Sequence, residues 1–189
     1  MKILNAASLI ITIFFVSCSM SKAAPRPEFK LNSANIEQGS TINNKHVFNG
    51  FGCAGKNLSP QLSWTNAPLG TKGYALTVYD PDAPTGSGWW HWVLINIPAN
   101  YTSLPINFGE KNQFKLEDNV TQVRNDFGNF SFGGPCPPKG DKPHRYIFTI
   151  HALRIDNLEL QDGATSAMAG YMINQSTIAK ASFVAYFAR

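Results

Sequence analysis

Three absences in the sequence narrow the classes of protein that it can encode. No apolar run reaches the roughly 20 residues that a membrane-spanning helix needs, which predicts a chain without an integral membrane span. Lys and Arg form no cluster of the kind that lines a nucleic-acid groove, and the formal net charge is only +4, so nucleic acid is not an expected partner. Internal repeats and low-complexity blocks are also lacking, which excludes a repeat architecture.

The first residues have the layout of a secretory signal. A positive charge precedes a short, mostly apolar stretch over residues 3–16, and small residues lead to a cleavage point after Ala23. We therefore expect residues 1–23 to be removed and residues 24–189 to form one domain in the periplasm or outside the cell. A lipoprotein that begins at a lipidated Cys18 is the alternative.

Two cysteines remain after such a cleavage, Cys53 and Cys136. An even number of cysteines in an exported chain predicts one disulfide. It would close a loop of 83 residues, worth about 4–5 kcal/mol in the chain-entropy treatment. The alternative is that Cys136 is a nucleophile served by nearby His144.

The pattern of apolar residues predicts a mainly β fold. Runs rich in β-branched and aromatic residues, bounded by turn-forming residues, predict strands at 73–79, 91–97, 145–153 and 181–187, with shorter strands at 61–64 and 47–48. The apolar run 93–95 predicts burial on both faces of a sheet. One late helix is predicted over residues 164–173, with Asp162-Gly163 as its cap. Many strands and one late helix favour a sandwich of sheets.

Two loops rich in Pro and Gly carry the side chains best suited to a binding site. They contain Asp80, Asp82, Trp89, Trp90, His91 and Trp92 in residues 80–92, and His144, Arg145 and Tyr146 in residues 133–146. Rigid loops at strand ends commonly hold pockets. The Ala83–Pro84 bond in the first loop is a candidate for the cis form.

Two imidazoles beside a glycine-rich backbone can receive the oxygens of a phosphate, carboxylate or sulfate. A carboxylate such as that of Asp80 would hold the tautomer of a neighbouring histidine and raise its pKa, favouring the cation. Other roles remain open from these residues alone. Asp80 and Asp82 would then only cap turns, Arg145 would pair with an acid, and the tryptophans would belong to the core.

Several motifs together resemble the phosphatidylethanolamine-binding protein (PEBP) family. They are Asp-Pro-Asp-Ala-Pro at 80–84, His-Trp at 91–92, Gly-Pro-x-Pro-Pro-x-Gly at 134–140 and His-Arg-Tyr at 144–146. Gly-Ser-Gly-Trp-Trp-His-Trp at 86–92 and Asn-Asp-Phe-Gly at 125–128 resemble the bacterial branch, the Raf-kinase-inhibitor-like proteins of the YbhB/YbcL type. The resemblance runs from about Phe29 to the last residue.

The resemblance implies a sandwich of two antiparallel sheets with a short C-terminal helix and a small-anion site at its edge. Residues that match the pocket positions are Asp80, His91, His144 and Tyr146, and those that match its supporting wall are Asp82, Pro84 and the backbone around Pro135 and Cys136. Cys136 departs from many relatives, and a bond from it to Cys53 would pin the proline-rich loop.

Three classes of function follow. The first is a non-catalytic protein that binds a small anion or a phospholipid-like headgroup without a cofactor and that regulates or inhibits a partner protein, such as an extracytoplasmic hydrolase. The second is an enzyme, either a metal-dependent hydrolase with a two-histidine, one-carboxylate site or a hydrolase using Ser87. The third is a homodimer formed through an exposed tryptophan of the 89–92 cluster.

Overall fold

A computed structural model describes residues 26–110 and 115–189. The predicted signal segment, its cleavage point and Cys18 lie outside these residues. The ten strands are β1 (Lys30–Asn32), β2 (Asn49–Gly50), β3 (Cys53–Ala54), β4 (Leu62–Thr65), β5 (Gly73–Asp80), β6 (Trp89–Pro98), β7 (Ser103–Leu104), β8 (Thr121–Val123), β9 (His144–Leu153) and β10 (Thr177–Phe187). The α-helix α1 spans Ser166–Ser176, and 3-10 turns span Asn44–His46 and Glu117–Asn119. No helix within the described ranges is long and apolar enough to cross a membrane.

The largest sheet has five strands in the order β10-β9-β5-β6-β8, and every neighbouring pair is antiparallel. A second antiparallel sheet has the order β1-β4-β7, and β2 pairs with β3 in a separate two-stranded ribbon. Together with the single late helix, this architecture confirms the predicted mainly β sandwich.

Alternation along the central strands explains why both faces of the large sheet are covered. Leu76 and Leu94 point to a core shared with the small sheet, which includes Trp64. Their neighbours Val93 and Ile95 point to the opposite face, where they pack with buried residues of α1. Because side chains alternate with a period of two, a fully apolar strand implies two covered faces. The predicted double-sided burial of residues 93–95 is confirmed.

Helix α1 lies against the outer face of the large sheet. Its N-cap is Thr165, whose hydroxyl oxygen accepts a hydrogen bond from the N–H of Met168 at 3.2 Å. The cap predicted at Asp162-Gly163 is therefore wrong, because the helix begins three residues later. Gly170 allows close approach to the sheet, since a Cβ there would come within 2.9 Å of the Trp90 ring.

The predicted long strands at 73–79, 91–97 and 145–153 are confirmed as β5, β6 and β9. The predicted strand at 47–48 is wrong. Val47 ends a 3-10 turn, with its N–H bonded to Asn44 O, and Phe48 donates its N–H to the carbonyl oxygen of Pro135 at 3.1 Å. The carbonyl oxygen of Phe48 accepts the N–H of Gly55 at 3.0 Å, but the strand β2 begins only at Asn49.

The strand order also determines where functional groups meet. Strand β5 is paired antiparallel to both β6 and β9, so the end of β5 lies beside the starts of the other two. Asp80 closes β5, Trp89 opens β6 and His144 opens β9. Residues from three distant parts of the chain therefore converge at one edge of the sheet.

Candidate functional site

A pocket of about 200 Å³ lies at this edge of the large sheet. Its lining includes Asp80, His91, His144 and Tyr146, the four residues that the family resemblance predicts for the pocket. All four side chains are almost completely buried. The sheet thus brings together one carboxylate, two imidazoles and one phenol.

Asp80 organises the polar side of the pocket. Its Oδ1 accepts hydrogen bonds from the N–H groups of Asp82 at 2.8 Å and Ala83 at 3.1 Å, which fixes the turn after β5. Its Oδ2 lies 2.8 Å from His144 Nδ1. The carboxylate therefore caps a turn and also orients an imidazole, and the two roles considered from the sequence are both present.

His144 lies between two carboxylates. Its Nδ1 donates to Asp80, and its Nε2 lies 3.3 Å from Oδ2 of Asp141. His144 therefore bridges the buried carboxylate of Asp80 and the carboxylate of Asp141.

His91 is held differently. Its Nδ1 lies 2.7 Å from the carbonyl oxygen of Gly133, which can only accept, so Nδ1 carries the proton. Its Nε2 is buried and has no hydrogen-bond partner among the described residues. Burial away from water lowers the pKa of His91 to about 4, and this effect outweighs the opposing hydrogen bond to Gly133 and the charge of Asp80. The direction is opposite to the one expected from a nearby carboxylate, and at neutral pH His91 is a neutral ring whose buried Nε2 keeps its lone pair.

Tyr146 and Trp89 contribute donors to the same lining. The Tyr146 hydroxyl and the Trp89 Nε1 are both buried, and neither has a partner within the described ranges. Burial raises the pKa of Tyr146, with further contributions from Asp80 and Asp82, so the hydroxyl stays protonated at neutral pH. The Tyr146 ring packs edge-on to His91, with centroids 5.1 Å apart.

The other walls of the pocket are aromatic and proline-rich. Phe127 contacts Trp89, His91 and Phe51, with ring centroids 5.3, 5.4 and 5.7 Å apart, respectively. Phe51 lies in the turn between β2 and β3 and is 68% exposed, so it forms the rim. Sequence reasoning did not assign either phenylalanine to the site. The 125–128 motif was a usable signal for Phe127, whereas nothing local marks Phe51.

The disulfide fixes this rim to the proline-rich loop. Cys53 and Cys136 are bonded, with Cα atoms 6.1 Å apart, which confirms the predicted pair. Because Cys136 is oxidised, the alternative in which it acts as a nucleophile with His144 is wrong. Gly134 lies where a Cβ would overlap the carbonyl oxygen of His46, so this loop packs directly on the neighbouring backbone.

Comparisons with known proteins decide the family. The family described as phosphatidylethanolamine-binding protein matches residues 32–188. Escherichia coli YbcL is 49% identical over 167 residues, which cover 88% of this chain and 89% of YbcL. Escherichia coli YbhB is 48% identical over 158 residues, covering 84% of this chain and 99% of YbhB. A crystal structure of YbcL, described as a member of the mammalian PEBP family, superposes with a TM-score of 0.83 at 48% identity and covers 86% of this chain and 99% of YbcL.

The chain belongs to the PEBP family. The resemblance to its YbhB/YbcL type is thereby confirmed.

Not every residue that matches the supporting wall lies on the PEBP pocket. Pro84 lines it, and the Ala83–Pro84 bond is trans, as are all peptide bonds in the described ranges, so the cis candidate is wrong. Pro135 is not part of the lining, and its carbonyl oxygen accepts the N–H of Phe48. The next residue of the predicted wall, Cys136, does line the pocket, as do Pro137 and Pro138.

Asp82 also lies outside the lining and pairs with Arg145. Arg145 donates to Asp82 through Nε at 2.9 Å, through Nη2 at 2.6 Å and through its backbone N–H at 2.8 Å. The Arg145 guanidinium lowers the pKa of Asp82 to about 2. This pair links the turn after β5 to β9, so both residues support the site from outside.

The residues considered for a metal site, a nucleophile or a dimer contact lie in different parts of this PEBP-family fold. Among the described residues, no three or more His, Cys, Asp or Glu side chains form a group that could hold a metal ion. Ser87 is exposed, and its carbonyl oxygen accepts from the Tyr79 hydroxyl at 2.7 Å. None of the three neighbouring tryptophans is exposed, because Trp89 lines the pocket, Trp90 contacts α1 and Trp92 is in the core.

Proposed function

We propose that this chain is a non-catalytic binding protein that holds a small phosphate- or carboxylate-bearing group in the pocket formed by Asp80, His91, His144 and Tyr146. The observation that carries the proposal is a set of buried polar atoms that belong to lining residues and have no partner in the part of the chain that the structure describes: His91 Nε2, Tyr146 Oη and Trp89 Nε1. Each buried, unsatisfied polar group costs about 1–3 kcal/mol. A polar ligand that bonds to several of them recovers that cost.

The lining favours binding over catalysis. Both Asp80 oxygens and both His144 nitrogens are already engaged, which leaves neither group available as a base. The hydroxyl of Thr85, also on the lining, donates to the carbonyl oxygen of Gly88 at 2.5 Å. A nucleophile needs an adjacent base for activation, and the Thr85 hydroxyl is bonded to Gly88 rather than to His91 Nε2, which has no partner among the described residues.

We further propose that the protein acts outside the cytoplasm and that anion binding there accompanies regulation or inhibition of a partner protein. Support comes from the signal-like pattern of residues 1–23 and from the Cys53–Cys136 disulfide, since disulfides persist in oxidising compartments. Fractionation of cells that express the full chain tests this. A processed form in the periplasmic fraction is expected, and an unprocessed cytoplasmic form would contradict export.

Calorimetry and thermal unfolding with phosphate and acetate test the pocket. Ligand at 100 times its Kd should stabilise the protein by about 2.7 kcal/mol. Tyr146→Phe removes one buried donor and should weaken phosphate binding by about tenfold or more, because hydrogen bonds to charged groups are worth about 1.5–3 kcal/mol. Tyr171→Phe, on the exposed face of α1, is the matched control and should bind as the wild type does.

The decisive negative result is simple to obtain. If neither anion stabilises the wild-type protein or releases heat at millimolar concentration, the proposal fails. Equal loss of binding in Tyr146→Phe and Tyr171→Phe would place the anion elsewhere on the protein.

A further inference from the structure

A second cavity, of about 300 Å³, lies beside β8, an edge strand of the large sheet. Its walls are formed by Val123, the last residue of β8, by Arg124 and Phe130 after it, and by residues 160–164, which precede α1. None of these residues lines the pocket around Asp80, so the two cavities are separate. A cavity of this size can hold a small molecule.

Part of this second cavity is apolar. Val123, Phe130, Leu160 and Ala164 contribute hydrocarbon and aromatic groups to its lining. Val123 belongs to the buried cluster between the large sheet and α1, and Leu160 packs against that cluster, so this wall is supported from behind. Because moving apolar surface out of water is favourable, the cavity suits a ligand that carries an apolar body.

Arg124 provides a positive charge that the fold positions at this cavity. Its Nε donates to the carbonyl oxygen of Gly128 at 2.9 Å, and its own carbonyl oxygen accepts from the hydroxyl of Ser166 at 2.8 Å. Within residues 26–110 and 115–189, its Nη1 and Nη2 have no hydrogen-bond or ion-pair partner. Two free N–H groups of a guanidinium can bind both oxygens of a carboxylate.

Asp162 provides the opposite charge on the same lining. It lies in a turn that is closed by a hydrogen bond from the N–H of Ala164 to the carbonyl oxygen of Gln161 at 3.0 Å. Its carboxylate makes no hydrogen bond or ion pair with any described residue, and Arg124 is included in that statement. A guanidinium and a carboxylate therefore line one cavity without pairing, and each can still bind a ligand group of the opposite charge.

We propose that this second cavity binds a small zwitterion with an apolar body, such as a free amino acid with a branched or aromatic side chain. The carboxylate of the ligand contacts Arg124, its ammonium group contacts Asp162, and its apolar body lies against the wall that includes Val123 and Leu160. The site is independent of the anion-binding pocket, so the inference goes beyond the proposed function.

Titrations followed by ¹H–¹⁵N NMR test the inference with five probes: L-phenylalanine, L-leucine, glycine, N-acetyl-L-phenylalanine and L-phenylalaninamide. The last three lack the apolar body, the ammonium group and the carboxylate, respectively. We expect phenylalanine and leucine to bind at least about tenfold more tightly than each of these three, because loss of one hydrogen bond to a charged group, or of an apolar side chain, corresponds to about that factor. The amide signals that shift should be those of residues 123–130 and 160–164.

Substitutions at the two charges assign each contact. Asp162→Asn should weaken phenylalanine binding about tenfold and leave N-acetyl-L-phenylalanine unaffected, since that analogue has no ammonium group. Arg124→Gln should weaken phenylalanine similarly and leave L-phenylalaninamide unaffected. Asp156→Asn and Arg154→Gln, at exposed positions outside the cavity, are the matched controls and should bind as the wild type does. The probe series and Asp162→Asn stand even if Arg124→Gln does not fold.

Three results would overturn the inference. Equal affinity for phenylalanine and N-acetyl-L-phenylalanine would show that the ammonium group is not recognised. Competition by phosphate, with shifts confined to residues around Asp80 and His144, would place the amino acid in the anion pocket. Absence of binding by all five probes at millimolar concentration would remove the second site altogether. The first and third results leave the proposed anion binding untouched, because that function is measured separately with phosphate and acetate.

Discussion

Removal of the Cys53–Cys136 disulfide should cost the protein a large part of its stability. The bond closes a loop of 83 residues, which includes strands β4 to β8. For a loop of this length the chain-entropy treatment gives about 4–5 kcal/mol at 25 °C, because the crosslink restricts the unfolded chain. Domains are stable by about 5–15 kcal/mol in total. We therefore expect the double variant Cys53→Ala/Cys136→Ala to fold, with a much reduced free energy of unfolding.

Urea unfolding at pH 7.5 measures this loss. The oxidised wild type, the wild type in excess reductant and the double variant should give two groups of curves, with the last two similar. A loss below about 1 kcal/mol would refute the reasoning, since the crosslink would then do little to the unfolded ensemble. Agreement between the reduced wild type and the variant excludes an effect of the alanine side chains themselves.

The same variant tests how far the pocket depends on the crosslink. Other contacts hold the loop that carries Cys136: Arg189 donates to the carbonyl oxygen of Pro137 at 2.5 Å and to that of Phe51 at 3.2 Å. The Phe48 N–H also holds the Pro135 carbonyl. Phosphate affinity should therefore fall less than tenfold at temperatures where the variant is folded. A complete loss of binding by the folded variant would show that these contacts cannot hold the rim.

Two further predictions concern charge. Burial lowers the pKa values of His91 and His151 to about 4, below the 6.5 of an unfolded histidine, so the unfolded chain binds more protons between those values. The free energy of unfolding should be unaffected by these groups above pH 6.5 and should fall towards pH 4, by up to roughly 3 kcal/mol for each ring. Urea midpoints at pH 7.5, 5.5 and 4.5 measure this decline. The decline should be smaller in the His151→Gln variant. An unchanged midpoint across that range would contradict the assigned shifts. Arg145→Ala should leave the urea midpoint nearly unchanged, because its pair with Asp82 is largely accessible to solvent, and should change phosphate affinity less than twofold by calorimetry. A tenfold loss of affinity would place the pair in the site after all.

Much of the fold was predictable because its signals are local. Alternating or continuous apolar residues mark β5, β6 and β9, and the run 93–95 even reports that the sheet is covered on two sides. The error at residues 47–48 has the opposite origin. The N–H of Phe48 bonds to the distant loop at Pro135, and no local pattern encodes that contact.

Some features of the candidate site could likewise be predicted from local sequence, and others depend on distant contacts. The sequence motifs identify the polar residues, since each motif is contiguous, but Phe51 reaches the rim through a turn that only the tertiary fold brings near Phe127. The state of His91 is also a tertiary property. A nearby carboxylate suggests a raised pKa, whereas complete burial lowers the pKa of His91. The bond to the Gly133 carbonyl oxygen fixes the proton on Nδ1.

The assembly of the pocket from distant segments sets when it can exist during folding. The bond between Asp80 and His144 spans 64 residues, and that between His91 and Gly133 spans 42. Contacts of such long range form slowly, because the chain must lose loop entropy before they compensate for it. A nascent chain has no ligand site until β9 has been synthesised and has paired with β5. The pocket can therefore bind a ligand only after the central sheet has formed.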